Sequence, residues 1–249
     1  MKPVPLIGAI VLTLMAQHTQ SAELKVMVTG AAKDAFNQLA PEFERTSSHK
    51  ISPQFDLPPN FIRRIESGEA FDVVILSMDV AGLINQGKVL ADTRTVLGRT
   101  GVGVAIHQGV RKPDFATVDA FKRMLLAAKS VTYSGEGSSG RYFLSLLDRL
   151  GMTEAMKPRL KPPSGVGGAA RLLSSGEAEL AVIGLPPLVD VSNIEWLGWV
   201  PGELQSWVVF TGGVSAASLN GAAGRALLSY LTTPAAVAVF KAKGLDPAP

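Results

Sequence analysis

Residues 65–75 read Ile65-Glu66-Ser67-Gly68-Glu69-Ala70-Phe71-Asp72-Val73-Val74-Ile75, and residues 173–183 read Leu173-Ser174-Ser175-Gly176-Glu177-Ala178-Glu179-Leu180-Ala181-Val182-Ile183. Both follow one plan: the end of a helix, a Ser-Gly-Glu-Ala stop, then an apolar strand. Glycine ends helices because it enters the left-handed region without a Cβ clash. A continuous apolar run of this length suits a strand covered on both faces. The same unit stands once in each half of the chain, which predicts two similar lobes.

Working outward, strands and helices alternate along the chain. Leu24 to Thr29 reads as a buried first strand, and Gly30-Ala31-Ala32 turns it into a helix with Phe36, Leu39, Ala40 and Phe43 at helical spacing. Ile51 to Phe55 is a second strand. Asp56 to Asn60 reads as a loop on account of Pro58 and Pro59, with Asn60 capping a helix that carries Phe61, Ile62 and Ile65. A short helix runs from Val80 to Gln86, and Thr100 to Ile106 reads as one strand. Ser130 to Tyr133 leads into Gly/Ser-rich residues 134–141, and a helix follows with Phe143, Leu146, Leu147 and Leu150 on one face. A second proline loop, Lys161 to Gly165, precedes a helix over 166–175. Strands at 194–200 and 207–210 precede C-terminal helices at 222–230 and 234–243. This alternation predicts an α/β architecture of mostly parallel sheets with helices on both faces.

The bulk numbers narrow the function classes. The chain has 249 residues, 47% hydrophobic and 18% charged, enough for a large folded core. A net charge of +3, with no basic run interleaved with aromatics, argues against nucleic acid as a partner. There is no cysteine, which excludes disulfides, thiolate catalysis and Cys-ligated metals. Lys2, the apolar stretch Val4 to Met15 and the small residues Ser21-Ala22 read as a secretory signal over 1–22, cleaved near Ala22. The stretch is too short to span a bilayer, which takes about 20 apolar residues.

Residues 134–141, Ser-Gly-Glu-Gly-Ser-Ser-Gly-Arg, join a strand to a helix start. The first-turn N–H groups of a helix have no internal acceptor, and the dipole adds roughly half a positive charge there, so the place accepts an anion. Gly135, Gly137 and Gly140 also spell G-x-G-x-x-G. A dinucleotide site needs a following strand that ends in an acid, and residues 156–163 offer neither. Arg141 has two readings, a bidentate grip on a carboxylate or a solvent-facing residue. Catalytic signals are sparse. His49 and His107 have no second ligand at metal spacing, and no G-x-S-x-G elbow exists. Asp72 and Asp79 flank a strand end and form the one conceivable carboxylate pair, although residues so placed more often cap turns. Trp196, Trp199 and Trp207 read as core or lobe-interface packing.

In their order, these marks resemble the type 2 periplasmic substrate-binding proteins of ABC importers, in the molybdate-binding-protein-like branch. They are the strand followed by Gly30-Ala31-Ala32, the Ser67 to Ile75 segment, Pro113-Asp114 before a helix, Ser139-Gly140-Arg141-Tyr142, and Val166 leading to Ser175-Gly176-Glu177-Ala178. The resemblance covers nearly all of the mature chain. It implies lobe 1 from 23–104 plus 207–249, lobe 2 from 105–206, and two crossing strands as a hinge. It also implies a periplasmic location, a monomer, an ABC permease of the inner membrane as partner, and an anion in the cleft.

In molybdate binders, serine hydroxyls after the first and second strands, backbone N–H groups at two helix starts and a late tyrosine hold the oxyanion. The matching positions here are Ala31, Pro58-Pro59 in the second loop, Ser139 and Val166, and Gly184. Three hydroxyls are therefore replaced. Each lost hydrogen bond to a charged group costs roughly 1.5–3 kcal/mol, so the resemblance points to a larger organic anion, a di- or tricarboxylate or a phosphorylated acid. The expected ligand-binding set is Ala31, Pro59, Asn60, Ser138, Ser139, Gly140, Arg141, Val166 and Gly184, with no catalytic residue, metal or cofactor. The alternatives are a molybdate- or tungstate-type oxyanion, an exported α/β enzyme using Asp72 or Asp79, or a sensor module.

Overall fold

The two repeated units occupy equivalent places in two five-stranded sheets. The computed structural model describes residues 21–135 and 137–247; residues 1–20, which carry most of the signal reading, and Glu136 lie outside them. The first sheet is formed by β1 (Glu23–Thr29), β2 (Lys50–Asp56), β3 (Val73–Leu76), β4 (Thr95–Thr100) and β10 (Val208–Val214), in the order β2-β1-β3-β10-β4. The second is formed by β5 (Val102–His107), β6 (Val131–Tyr133), β7 (Leu160–Lys161), β8 (Leu180–Gly184) and β9 (Ile194–Trp199), in the order β7-β6-β8-β5-β9. In each sheet, three strands pair in parallel and the fourth, β10 or β5, runs against its neighbours. The repeated unit supplies the middle strand of each sheet, β3 and β8, and both are wholly buried.

Helices cover both faces of each sheet. The helices of the first are α1 (Lys33–Ser47), α2 (Pro58–Glu66), α3 (Ala81–Asn85), α8 (Gly221–Leu231) and α9 (Pro234–Ala242). One face carries Phe36, Phe43, Phe210, Leu227 and Phe240; the other packs Phe61 and Ile65 of α2 on Met27 and Val74. The second sheet is covered by α4 (Val118–Ala127), α5 (Ser138–Arg149), α6 (Thr153–Met156) and α7 (Gly168–Ser174). Phe121, Phe143, Leu146 and Leu147 fill one face, and Ala169, Ala170 and Leu173 the other. The expected helical face Phe143-Leu146-Leu147 is therefore the buried one. The two Ser-Gly stops also match. Gly68 has φ 93° and Gly176 φ 77°, and their N–H groups bond the carbonyls of Ile65 and Leu173.

Two readings are corrected. Thr100 to Ile106 is not one strand: β4 ends at Thr100 in the first sheet and β5 begins at Val102 in the second, so the chain crosses at Gly101. It returns between β9 and β10. There the Gln205 side chain pairs with the backbone of Val102, accepting its N–H at 2.8 Å and donating to its carbonyl at 3.1 Å. The tryptophans gather at this crossing. Trp196 and Trp199 lie 5.0 Å apart, Trp199 and Trp207 6.1 Å, and the Arg99 guanidinium stands 4.4 Å over Trp207. The second correction concerns Pro58 and Pro59, which begin α2 rather than forming a loop. Proline is favoured at the first turn because the missing N–H would be unsatisfied there and its φ is already helical. Asn60 is consequently inside the helix, not its cap, and its amide donates to Asp56 at 2.5 Å.

Asp72 and Asp79 are structural. The Asp72 carboxylate is buried and accepts from the Lys25 N–H at 2.8 Å, the Ser218 hydroxyl at 2.5 Å and the Asn220 amide at 3.3 Å, tying β1 and the start of β3 to the turn before α8. Asp79 accepts from the Ala81 N–H and pairs with Arg94, whose guanidinium holds its carboxyl below the usual range. Asp72→Ala strands a buried amide and a hydroxyl, so it should cost about 2–3 kcal/mol. The melting temperature should fall by roughly 5–10 °C with ligand affinity unchanged, as read by a thermal melt beside a titration.

Candidate functional site

Six of the ten strands deliver their carboxyl ends to one place. The residues after β1, β2, β3, β6, β7 and β8 line a cleft of about 390 Å³ between the sheets, with Thr100, Val208 and Phe210 of the crossing strands in its wall. Carboxyl ends of parallel strands are where open α/β sheets hold ligands, because helices start there. The cleft meets the starts of four helices: Gly30-Ala31 before α1, Leu57-Pro58 at α2, Gly137-Ser138-Ser139 at α5, and Val166-Gly167-Gly168 at α7.

These starts are not equivalent as donors. Pro58 and Pro59 have no N–H, and the N–H groups of Asn60 and Phe61 are taken by the Leu57 carbonyl at 3.0 and 3.3 Å. That wall is apolar. At α5, the Arg141 N–H bonds the Gly137 carbonyl at 3.0 Å; the first-turn N–H groups ahead of it have no acceptor within the helix. The loop feeding α5 is tight. Gly135 has φ 53°, and a Cβ on Gly140 would sit 2.6 Å from the Gly135 carbonyl oxygen. Compact turn geometry thus accounts for these glycines without a dinucleotide. The next strand does exist, as β7, but it ends at Lys161, before Pro162, rather than in an acid.

One end of the cleft is a ladder of hydroxyls. Thr29 and Ser77 oxygens lie 3.3 Å apart, those of Ser77 and Ser138 lie 3.4 Å apart, and Ser138 donates to the Ser77 carbonyl. Thr29 ends β1 and Ser77 follows β3 in the first lobe, while Ser138 opens α5 in the second, so the ladder bridges the lobes. The rest of the wall is mostly aliphatic. Ala31, Pro58, Val166, Ile183 and Gly184 line it, and Val166 packs directly over Gly30 from the opposite lobe. Three charged residues line it among those described: Lys33, Asp34 and Arg171. At the rim, Lys243 of the first lobe pairs with Asp190 of the second at 2.5 Å, and that carboxylate raises the ammonium pKa.

Of the expected site residues, Ala31, Ser138, Ser139, Val166 and Gly184 line the cleft. Pro59, Asn60, Gly140 and Arg141 do not. Pro58 stands at the wall in place of Pro59, Gly140 is packed on the Gly135 backbone, and Arg141 is exposed on α5. Thr29, Ser77, Lys33 and Arg171 escaped the sequence reading. Ser77 could have been found as the first residue after a buried parallel strand, Val73–Leu76. His49 and His107 are engaged structurally. His49 accepts from the Ala22 N–H at 3.2 Å, and His107 donates to the Leu173 carbonyl at 2.9 Å.

Comparison with known proteins fits this geometry. A family model described as bacterial extracellular solute-binding protein matches residues 24–246. Aconitate isomerase of a Pseudomonas species is 31% identical over 235 residues, 91% of this chain and 88% of that protein. The molybdate-binding protein ModA of Azotobacter vinelandii is 28% identical over 248 residues, 93% of this chain and 92% of that protein. The solved structure of the Azotobacter vinelandii periplasmic molybdate-binding protein superposes with a TM-score of 0.74 at 19% identity, over 91% of this chain and all of that one.

Proposed function

Because this chain belongs to the bacterial extracellular solute-binding protein family, we propose that it captures a small organic polycarboxylate between its lobes, in the periplasm, and delivers it unchanged to an ABC permease. The observation that carries this reading is the uneven cleft. One end offers hydroxyls and first-turn N–H groups for a carboxylate, while Ala31, Pro58, Val166 and Gly184 present carbon or open space where a tetrahedral oxyanion needs donors. Its volume of about 390 Å³ falls in the range of organic small-molecule pockets, about 300–1,000 Å³. Aconitate, the substrate named for one relative, is a tricarboxylate of this size class.

A compact oxyanion is the second reading. The ladder Thr29-Ser77-Ser138 favours it, as does the relative named for molybdate. Isomerisation of a bound unsaturated acid is the third, favoured by the relative named for it. A proton shift of that kind needs a base, and Asp34 is the carboxylate in the cleft wall among the described residues.

One experiment separates the three. A thermal-shift panel of citrate, cis- and trans-aconitate, tricarballylate, molybdate and sulfate is followed by proton NMR of the recovered ligand. The proposal predicts stabilisation by the organic acids, with each returned as the isomer supplied. A response to molybdate alone favours the oxyanion, and interconversion of the two aconitates favours the enzyme.

A further inference from the structure

We infer that Lys33 and Arg171 form a two-lobed cationic clamp for a second carboxylate of the ligand, and so set its specificity for di- and tricarboxylates. This rests on the organic-anion reading above. Lys33 opens α1 on the first lobe and Arg171 stands in α7 on the second, and both line the same cleft. Neither belongs to the hydroxyl ladder.

The charge balance supports a ligand role. The third charged residue of the wall is Asp34, so the charged residues of the wall among those described, two cations and one carboxylate, sum to +1. Lys33 and Arg171 have no carboxylate within ion-pair range among the described residues; the Lys33 ammonium lies 5.7 Å from the Phe55 ring centre. Two cations that line one cleft from opposite lobes, neither in an ion pair among the described residues, repel as the lobes close. A carboxylate placed between them removes that cost and rewards closure. A compact oxyanion held by the Thr29-Ser77-Ser138 ladder makes no use of this pair. An acid with carboxylates separated by a short carbon chain offers one group to the ladder and a second to the pair, its chain against Ala31, Pro58 and Val166.

Calorimetric titration of the parent protein, Lys33→Gln and Arg171→Gln with tricarballylate tests the clamp, with sulfate as the compact control. A charge-assisted hydrogen bond of about 1.5–3 kcal/mol corresponds to roughly 10- to 100-fold in affinity. Each variant should lose that much for tricarballylate, behave as the parent does toward sulfate, and regain part of the loss as Lys33→Arg or Arg171→Lys. Unchanged tricarballylate affinity in both glutamine variants overturns the clamp while leaving the ligand class standing. Failure of the parent protein to bind any tricarboxylate overturns the ligand class and the clamp with it.

Discussion

Gly30→Ala should cost the protein roughly 10- to 100-fold in ligand affinity while both lobes stay folded. Gly30 ends β1 and opens the turn into α1, and Val166 of the opposite lobe lies directly over it. A Cβ at position 30 would stand 2.5 and 2.8 Å from the two Val166 methyls and 3.2 Å from its Cβ. A β-branched side chain is stiff, and rotating it leaves its own Cβ in place, so the lobes must separate. Overpacking of this kind costs typically about 1–3 kcal/mol, and it falls on the closed state alone. Apparent affinity falls in proportion to the fraction of molecules able to close. Pairing the change with Val166→Ala removes both methyls and should restore most of the binding. Scattering of the ligand-saturated variant should show a more extended particle. Parental affinity in Gly30→Ala would mean that the lobes do not close on the ligand as the structure has them.

Ser139→Asp should abolish anion binding and leave the fold as stable as before or slightly more so. Ser139 is the second residue of α5, is buried and lines the cleft. A carboxylate in the first turn of a helix interacts favourably with its dipole, by about 0.3–1 kcal/mol. The same charge opposes a ligand carboxylate at the same place. Two like charges 4 Å apart repel by about 4 kcal/mol at an effective dielectric of 20, on the order of 1,000-fold in affinity. Stability and binding thus move in opposite directions, which a general loss of structure cannot imitate. A melt and a titration on one preparation read both, and an unchanged affinity would place the anion elsewhere.

The fold was largely legible because its deciding signals are local. The Ser-Gly-Glu-Ala stops at Gly68 and Gly176 and the apolar runs after them need no tertiary context, and their repetition revealed the two lobes. The crossing at Gly101 was not legible, since Thr100 to Ile106 has no charged residue or proline to interrupt a strand and only tertiary pairing assigns its parts to different sheets. Pro58-Pro59 misled because proline marks loops and first helical turns alike. The site divided in a similar way. Ser138, Ser139 and Val166 follow from strand–loop–helix order. Arg141 does not reach the cleft because it lies farther along α5, where rotation of about 100° per residue turns positions away from the start. Thr29 and Ser77 were passed over because a single hydroxyl at a strand end carries no motif, and Lys33 and Arg171 because a lone cation on a helix is usually solvated.

The central claim is that an organic polycarboxylate, not a tetrahedral oxyanion, is held between the lobes. Competitive calorimetry tests it most directly, with trans-aconitate or tricarballylate titrated into the parent protein with and without saturating molybdate. The account predicts one organic acid bound per molecule, with micromolar or tighter affinity that molybdate shifts little. Submicromolar molybdate binding with no heat from either organic acid would contradict it.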